Sequence, residues 1–309
     1  MNSEKETFQQ KNFVSKSLFY RFSQFVGFLL GARFFVAALL TFALYVSTFF
    51  LFNQDENFRN FVFDFKVHGI IFCTVLSILA GGIINQFYDF EKDHIVKPFR
   101  TRIQSFIKQK YFLYAYLLLT VISLAVACLI SYRVFIFFVI YQFFMWFYSH
   151  KLSRILILNN LTFISLTLYP FFGMMVYYET FSKEVLLMAI FLFLILLCID
   201  IVKDTLTKSV DKAFGYDTIP NSFDYKTSQW IIVFLMLLTM AVSMKLISKT
   251  GISGFMSFYF SSGLFVFILC IYYTLDYTKK SKLIAINILR IWVFIGIISM
   301  LLNGIVGKL

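Results

Sequence analysis

The chain has 309 residues, 60% of them drawn from Ala, Val, Ile, Leu, Met, Phe, Trp, Tyr and Cys, and only 14% are charged. A soluble domain runs at roughly 45–50% apolar and about 25% charged, and a water-soluble globule of this size could not hide 43 Phe and 18 Tyr. This balance excludes a secreted disulfide scaffold, a nucleic-acid-binding domain and an ordinary soluble enzyme. The net charge of +12 reads instead as Lys and Arg holding loops on the cytoplasmic side of a membrane.

Residues 1–24 are polar and of mixed charge, without the layout of a cleavable signal. They read as a cytoplasmic N-terminal segment ahead of a single transmembrane domain over residues 25–309. A helix needs about 20 apolar residues to cross a bilayer. Nine runs are candidates, the fourth of them short: Phe25–Phe52, His68–Phe87, Tyr111–Ile130, Val134–Tyr148, Leu158–Tyr178, Val185–Val202, Trp230–Ile247, Ile252–Leu275 and Leu283–Val306. The fold class is therefore an all-α polytopic bundle. With the N-terminus inside, the inner segments carry 19 Lys and Arg against 7 outside, which orients the chain N-in and C-out.

Several residues inside the spans stand out. Arg33, about two turns into the first span, either snorkels to the inner surface or faces the bundle interior as an anion contact. Gln142 reads as an interhelical hydrogen-bond partner, and Pro170 as a kink in span five. Cys73, Cys128, Cys198 and Cys270 all lie in apolar runs without a CxxC pair and read as buried thiols.

The acids are unevenly placed. Of 16 Asp and Glu, eight fall in two inner segments: Asp89, Glu91 and Asp93 after span two, and Asp200, Asp204, Asp211, Asp217 and Asp224 after span six. Acids contribute little to topology, so they need another reason. Asn85, Asp89 and Asp93 recur every four residues and share one face if the helix continues past the membrane edge. Like charges at that spacing repel, and a divalent cation would remove the penalty. Asp204 and Asp211, two turns apart, also share a face. Magnesium is held by one or two carboxylates plus substrate phosphates, so the two acidic faces suit a metal-bound diphosphate. Lys92, Lys97, Arg100 and Arg102 follow the first cluster, and Lys203, Lys208 and Lys212 interleave with the second. Salt-bridged, solvated loops are the bland alternative.

At these residues the sequence resembles the UbiA-type intramembrane prenyltransferase family. The stretch from Asn85 through Asp89 and Asp93 into Lys97, Pro98 and Arg100 is similar to the family's N-D-x-x-D-x-x-x-D signature and its I-N-x-P-x-R tail. The stretch Lys203, Asp204, Thr207, Asp211, then Gly215, Thr218 and Pro220 is similar to the second D-x-x-x-D signature and its G-x-x-T-x-P tail. Tyr148-Ser149 resembles the start of a further Y-S-x-x-L-K motif. The departures are Gln86 and Thr207 where the family has Asp, Val210 for Gly, Val96 for Asn and Ser153 for Lys.

The resemblance implies a helical bundle around a central cavity and a Mg2+-dependent transfer of a prenyl group. The donor is an isoprenoid diphosphate and the acceptor an aromatic or other lipophilic molecule in the membrane. It implies Asn85, Asp89, Asp93, Asp204 and Asp211 as metal ligands, with Asp89, Asp93 and Asp211 catalytic. It further implies Asn85, Lys97, Arg100, Tyr148, Lys203, Lys212 and Arg33 as substrate contacts. The lipid bilayer is a partner and nucleic acid is not. The expected location is the cell inner membrane with the signature segments cytoplasmic. A catalytically degenerate member and a secondary transporter are the alternatives. Transporters gather their ionisable groups near the bilayer midplane, whereas these gather at the inner rim.

Overall fold

The computed structural model describes residues 20–53, 58–249 and 254–308, so most of the expected N-terminal segment 1–24 lies outside the described residues. All regular structure among the described residues is helical. In chain order the helices are α1 (residues 20–31), α2 (Phe34–Ser47), α3 (Phe58–Val62), α4 (Phe65–Tyr88), α5 (Phe90–Val96), α6 (Pro98–Gln104), α7 (Gln109–Ile130), α8 (Tyr132–His150), α9 (Leu158–Tyr177), α10 (Lys183–Ala213), α11 (Ile219–Ser222), α12 (Tyr225–Lys249), α13 (Gly254–Leu275) and α14 (Lys279–Lys308). A π-helical turn, Thr48–Phe52, prolongs α2. Nine of these helices, among the described residues, are long and apolar enough to cross a membrane. The protein is an integral membrane protein with an all-α polytopic fold.

The first expected span is corrected. Phe25–Phe52 is not one helix: the chain turns at Ala32–Arg33, and the span proper is Phe34–Phe52. Arg33 takes a left-handed φ of 53°, so it stands at the start of the span rather than two turns inside it. Hydropathy reads straight through the turn because the residues on both sides are apolar. The sixth helix also outruns its apolar core. Ser182 caps α10 by accepting from Val185 N at 3.2 Å, and the helix then continues to Ala213, carrying the second acidic signature with it. Cys73, Cys198 and Cys270 are buried as expected, but Cys128 is exposed. It lies about 100–140° around α7 from the buried Ala127 and Ser123, so an apolar run alone did not fix its burial.

The chain forms two compact units, one taking in residues up to Leu40 plus Phe72–Gln142, the other Thr41–Ile71 plus Phe143–Leu309. In the first unit, glycines allow close helix contact. A Cβ on Gly27 would sit 2.7 Å from the Ile103 carbonyl oxygen, and one on Gly82 would sit 2.9 Å from the Ala32 carbonyl oxygen. Polar side chains then tie three helices together. Gln142 donates to Ser77 Oγ at 3.0 Å, Ser77 and Ser123 hydroxyls lie 3.1 Å apart, and Ser123 donates to the Cys73 carbonyl at 3.1 Å. Such bonds stabilise membrane bundles by about 0.6 kcal/mol each.

In the second unit α10 is the hub. Ile195, Cys198, Ile201 and Val202 pack against Ile232, Met236, Phe267, Cys270 and Leu289 from α12, α13 and α14. Tyr259 and Trp292 stack with centroids 4.7 Å apart, and Ser243 donates to the Phe260 carbonyl at 2.8 Å. Pro170 lies inside α9, a position that membrane helices tolerate when neighbours satisfy the freed carbonyl.

Candidate active site

The first acidic cluster belongs to the first unit. The expected helical continuation past Tyr88 is present with a one-residue break: Asp89 has φ −92° and ψ 7° between α4 and α5. Helical hydrogen bonding nevertheless runs through it, from Asp89 N to Asn85 O and from Asp93 N to Asp89 O. The face is therefore preserved, and Asn85 Nδ2 donates to Asp89 Oδ2 at 2.8 Å. Asp93 is buried and its Oδ1 accepts from Lys97 Nζ at 2.8 Å. Pro98 then starts α6 at a position where its missing N–H costs nothing, and Thr101 Oγ1 donates to the Asp93 and Lys97 carbonyls at 3.0 and 3.1 Å.

Three cations converge here. Arg100 Nη2 donates to the Leu30 carbonyl at 2.6 Å, which fixes its guanidinium against α1. With the Gln104 amide oriented so that its oxygen faces donors, that oxygen accepts from Arg100 Nε at 2.9 Å and Gly31 N at 3.2 Å. Burial, then the charge of Arg33, holds Arg100 below the ordinary arginine range, with Asp93 opposing. For Lys97, burial lowers the pKa most, Asp93 raises it, and the neighbouring Arg33 and Arg100 lower it further. Arg33, Lys97 and Arg100 thus form a cationic group with Asp93 as counterion, brought together by the left-handed turn at Arg33. Gln86 is buried and belongs to a different face. A Cβ on Gly31 would meet its Oε1 at 2.4 Å, and its amide lies 3.1 Å from that of Gln104. Where the family carries an aspartate, this chain carries a packing amide.

The second cluster belongs to the second unit. Asp200, Asp204 and Asp211 are all buried along α10. The amide of Asn160 joins two of them, its Nδ2 donating to Asp200 Oδ2 and to Asp204 Oδ2, each at 2.8 Å. Lys203 pairs with Asp200 and lies 3.8 Å from Asp204. Its ammonium also sits 5.5 Å over the Phe163 ring, which is 5.9 Å from Tyr148. Thr207 Oγ1 donates to Asp211 Oδ2 at 2.6 Å, so the threonine at the family's aspartate position orients a carboxylate in place of supplying one.

Local backbone explains the placement of Asn160. After α8 a tight turn at Leu152–Arg154 leads to Ile157 with φ 67°, and α9 begins at the next residue. A β-branched residue in that region is strained by about 1–3 kcal/mol. The reversal sets Asn160 in the first turn of α9, its backbone N–H held by Asn159 Oδ1 at 2.7 Å. The G-x-x-T tail has a similar local cause. Gly215 adopts φ 71° just past the end of α10, as helix ends require. Asp217 N then donates to the Arg154 carbonyl at 3.0 Å, and Arg154 lies 5.4 Å over the Tyr216 ring.

Of the expected residues, Asn85, Asp89, Asp93, Lys97, Arg100 and Arg33 lie together in the first unit, and Tyr148, Lys203, Asp204 and Asp211 in the second. Lys212 is exposed, about 100° around the helix from Asp211. Sequence reasoning placed Asp200 in the second acidic segment but left it out of the metal-ligand set, and it missed Asn160 altogether. The i, i+4 spacing of Asp200 and Asp204 was the available signal for the first. Nothing in a lone Asn-Asn pair after span four announced the second.

Oxygen-rich sets of this kind fit a hard divalent cation such as Mg2+. The Asn160 Oδ1 atom is buried without a hydrogen-bond partner, leaving one oxygen uncommitted beside the Asp200–Asp204 pair. Among the described residues no group of three His, Cys, Asp or Glu side chains forms a ready cage.

A polytopic bundle with buried carboxylates at helix ends, each set flanked by cations, has the equipment of a membrane enzyme that handles metal and phosphate. Residues 59–295 match the model of the UbiA prenyltransferase family, and the chain belongs to that family. It is 27% identical over 180 residues to a digeranylgeranylglyceryl phosphate synthase of Thermococcus gammatolerans, covering 58% of this chain and 64% of that one. It is 28% identical over 175 residues to the enzyme of the same name from Methanosphaera stadtmanae, covering 55% and 62%. The chain therefore matches just under two thirds of the length of these curated relatives. Among solved structures, a digeranylgeranylglyceryl phosphate synthase superimposes with a TM-score of 0.68 at 21% identity, covering 93% of this chain and 99% of that one. A UbiA homolog from Archaeoglobus fulgidus bound to GPP and Mg2+ gives 0.62 at 12% identity, covering 89% and 99%. These two likenesses carry the fold.

Proposed function

We propose that the protein transfers a prenyl group from an allylic isoprenoid diphosphate to a lipophilic acceptor within the membrane. The observation that carries this reading is the row of buried carboxylates on α10, held by one amide and one ammonium. Such a row is costly to bury and unnecessary for topology. Asn85, Asp89 and Asp93 are the Mg2+ ligands of the first cluster, and Asp204 and Asp211 those of the second. Bound there, the metal offsets negative charge that grows on the leaving group. Arg33, Lys97 and Arg100 beside the first cluster, and Lys203 beside the second, bind phosphate oxygens, Arg by paired contacts and Lys as a point charge. Lys212 adds charge at the surface end. Asp89, Asp93 and Asp211 are the catalytic carboxylates.

The protein's task at the other end of the donor is to keep water from an allylic cation. Tyr148 presents a ring beside Phe163, and an aromatic face stabilises a cation by about 0.5–2 kcal/mol. Residues 25–309 act as one transmembrane domain, with the N-terminal segment and the acidic segments on the cytoplasmic side of the inner membrane. The named activity of the relatives, synthesis of a digeranylgeranylglyceryl phosphate, places a glyceryl phosphate acceptor beside aromatic ones in the test panel.

Asp89→Ala and Asp211→Ala should each abolish Mg2+-dependent diphosphate release from a panel of prenyl diphosphates while leaving membrane insertion intact. Mass spectrometry of lipid extracts incubated with purified protein should reveal an acceptor heavier by one prenyl chain. Full turnover by both variants would end the assignment.

A further inference from the structure

Two neutral oxygens hold the Arg100 guanidinium. Its Nη2 donates to the Leu30 carbonyl at 2.6 Å, one of the last carbonyls of α1, where the helix dipole favours a cation. Its Nε donates to the Gln104 amide oxygen at 2.9 Å. Arg100 and Gln104 stand four residues apart on α6 and so share a face. Asp93 acts on Arg100 through its charge, but its ion pair is with Lys97. Among the described residues Arg100 forms no ion pair of its own.

Gln104 is only 1% exposed, and both ends of its amide are engaged. The oxygen accepts from Arg100 Nε and, at 3.2 Å, from Gly31 N, while the nitrogen faces the buried Gln86 amide at 3.1 Å. The close seat of α1 makes this possible. A Cβ on Gly27 would lie 3.4 Å from Gln104 Cα, and one on Gly31 would strike the Phe112 ring at 2.5 Å. An amide buried between three elements and occupied at both ends has little freedom to turn.

The neutral acceptor has a physical use. Arg33 lies close enough to Arg100 for its charge to oppose that of Arg100, and Arg33 Nε is buried without a hydrogen-bond partner. Like charges held together drive a flexible side chain away unless something fixes it. A carboxylate at position 104 would fix Arg100 but cancel its charge, and phosphate oxygens would then have to compete with it. An amide fixes the planar fork and leaves the charge in place.

We propose that Gln104 is a positioning residue: its amide oxygen holds the Arg100 guanidinium, against repulsion from Arg33, in the orientation that receives the phosphate oxygens of a diphosphate donor. The role rests on the reading that this cationic group binds a diphosphate. Gln104 acts through Arg100 and does not itself touch the substrate.

Two measurements on the full chain purified in detergent test it: binding of inorganic diphosphate with Mg2+ by calorimetry, and KM and kcat with prenyl diphosphates. Gln104→Met keeps the length and loses the oxygen. It should weaken diphosphate binding and raise donor KM, each by about tenfold, with kcat little changed. Gln104→Glu keeps an acceptor but pairs with Arg100. It should melt no lower than Gln104→Met yet bind diphosphate at least as weakly, whereas a packing role alone would make binding follow the melting temperature. In an Arg100→Lys background, which lacks the Nε–H, Gln104→Met should add little to the loss. If Gln104→Met does not fold, Gln104→Asn, shorter by one carbon, takes its place in both backgrounds. Wild-type affinity in the Gln104 variants, or full additivity with Arg100→Lys, overturns the proposal. If wild type binds diphosphate but turns over no prenyl donor, the prenyl-transfer reading fails while the binding measurement still decides the role of Gln104. A wild type that binds no diphosphate overturns both.

Discussion

Asn160 Nδ2 stands 2.8 Å from Asp204 Oδ2, across 44 residues of sequence. The same nitrogen reaches Asp200, so one neutral amide and Lys203 share the work of holding two buried carboxylates one turn apart. Hydrogen bonds to charged groups are worth about 1.5–3 kcal/mol. Asn160→Ala should therefore let the two carboxylates repel and lose their orientation. Diphosphate release should fall by about 10–100-fold, the usual effect of losing a partner that orients metal ligands, with a higher Mg2+ requirement. Mg2+ titrations of steady-state rate, alongside the melting temperature, separate this from simple unfolding.

The proposed sharing of Mg2+ between carboxylates and a substrate diphosphate predicts cooperative loading. Mg2+ alone and inorganic diphosphate alone should each raise the melting temperature little, and the two together should raise it clearly. Tight Mg2+ binding without diphosphate, measured by calorimetry, would contradict this arrangement.

Lys97 gives a pH prediction. Its pKa lies below the ordinary lysine value because burial and the neighbouring guanidiniums of Arg33 and Arg100 outweigh Asp93. The unfolded chain then binds the extra proton more readily, so this group adds to fold stability as pH rises through its lowered pKa towards the unfolded one. Donor binding should move the opposite way, since the ammonium is lost on the same rise. KM for the donor should climb at a more acidic pH than an ordinary lysine, near 10.4, would dictate. Lys97→Arg, which keeps its charge, should flatten that limb in a pH–KM profile.

Arg33 couples strain to use. Its φ of 53° is a conformation in which a non-glycine residue pays about 1–2 kcal/mol. Arg33→Gly should leave the melting temperature unchanged or raised while lowering donor affinity, so stability and activity move apart. Gly82→Ala should act on the same turn by the other route. Its Cβ would lie 2.9 Å from the Ala32 carbonyl oxygen, and about 1–3 kcal/mol of stability should be lost. Thermal unfolding in detergent checks both.

The sequence by itself determined the membrane class, the nine apolar spans and the two acidic segments with their one-face spacing. Hydropathy and the 3.6-residue helical period are local properties, read from neighbours along the chain. The same period put Asp204 and Asp211 on one face, while the run of that helix past Val202 to Ala213 came from the structure. Tertiary structure alone decided the rest. Hydropathy does not register a left-handed φ, so the break that puts Arg33 beside Lys97 and Arg100 was invisible within an unbroken apolar run. Gln86 and Thr207 looked like losses from a motif, yet one is a packing amide against Gly31 and the other orients Asp211. Asn160, and Lys282 over the Tyr225 ring, carry no periodic signal at all. Their partners lie 40 or more residues away, and only packed helices bring such residues within hydrogen-bond or ring-contact distance.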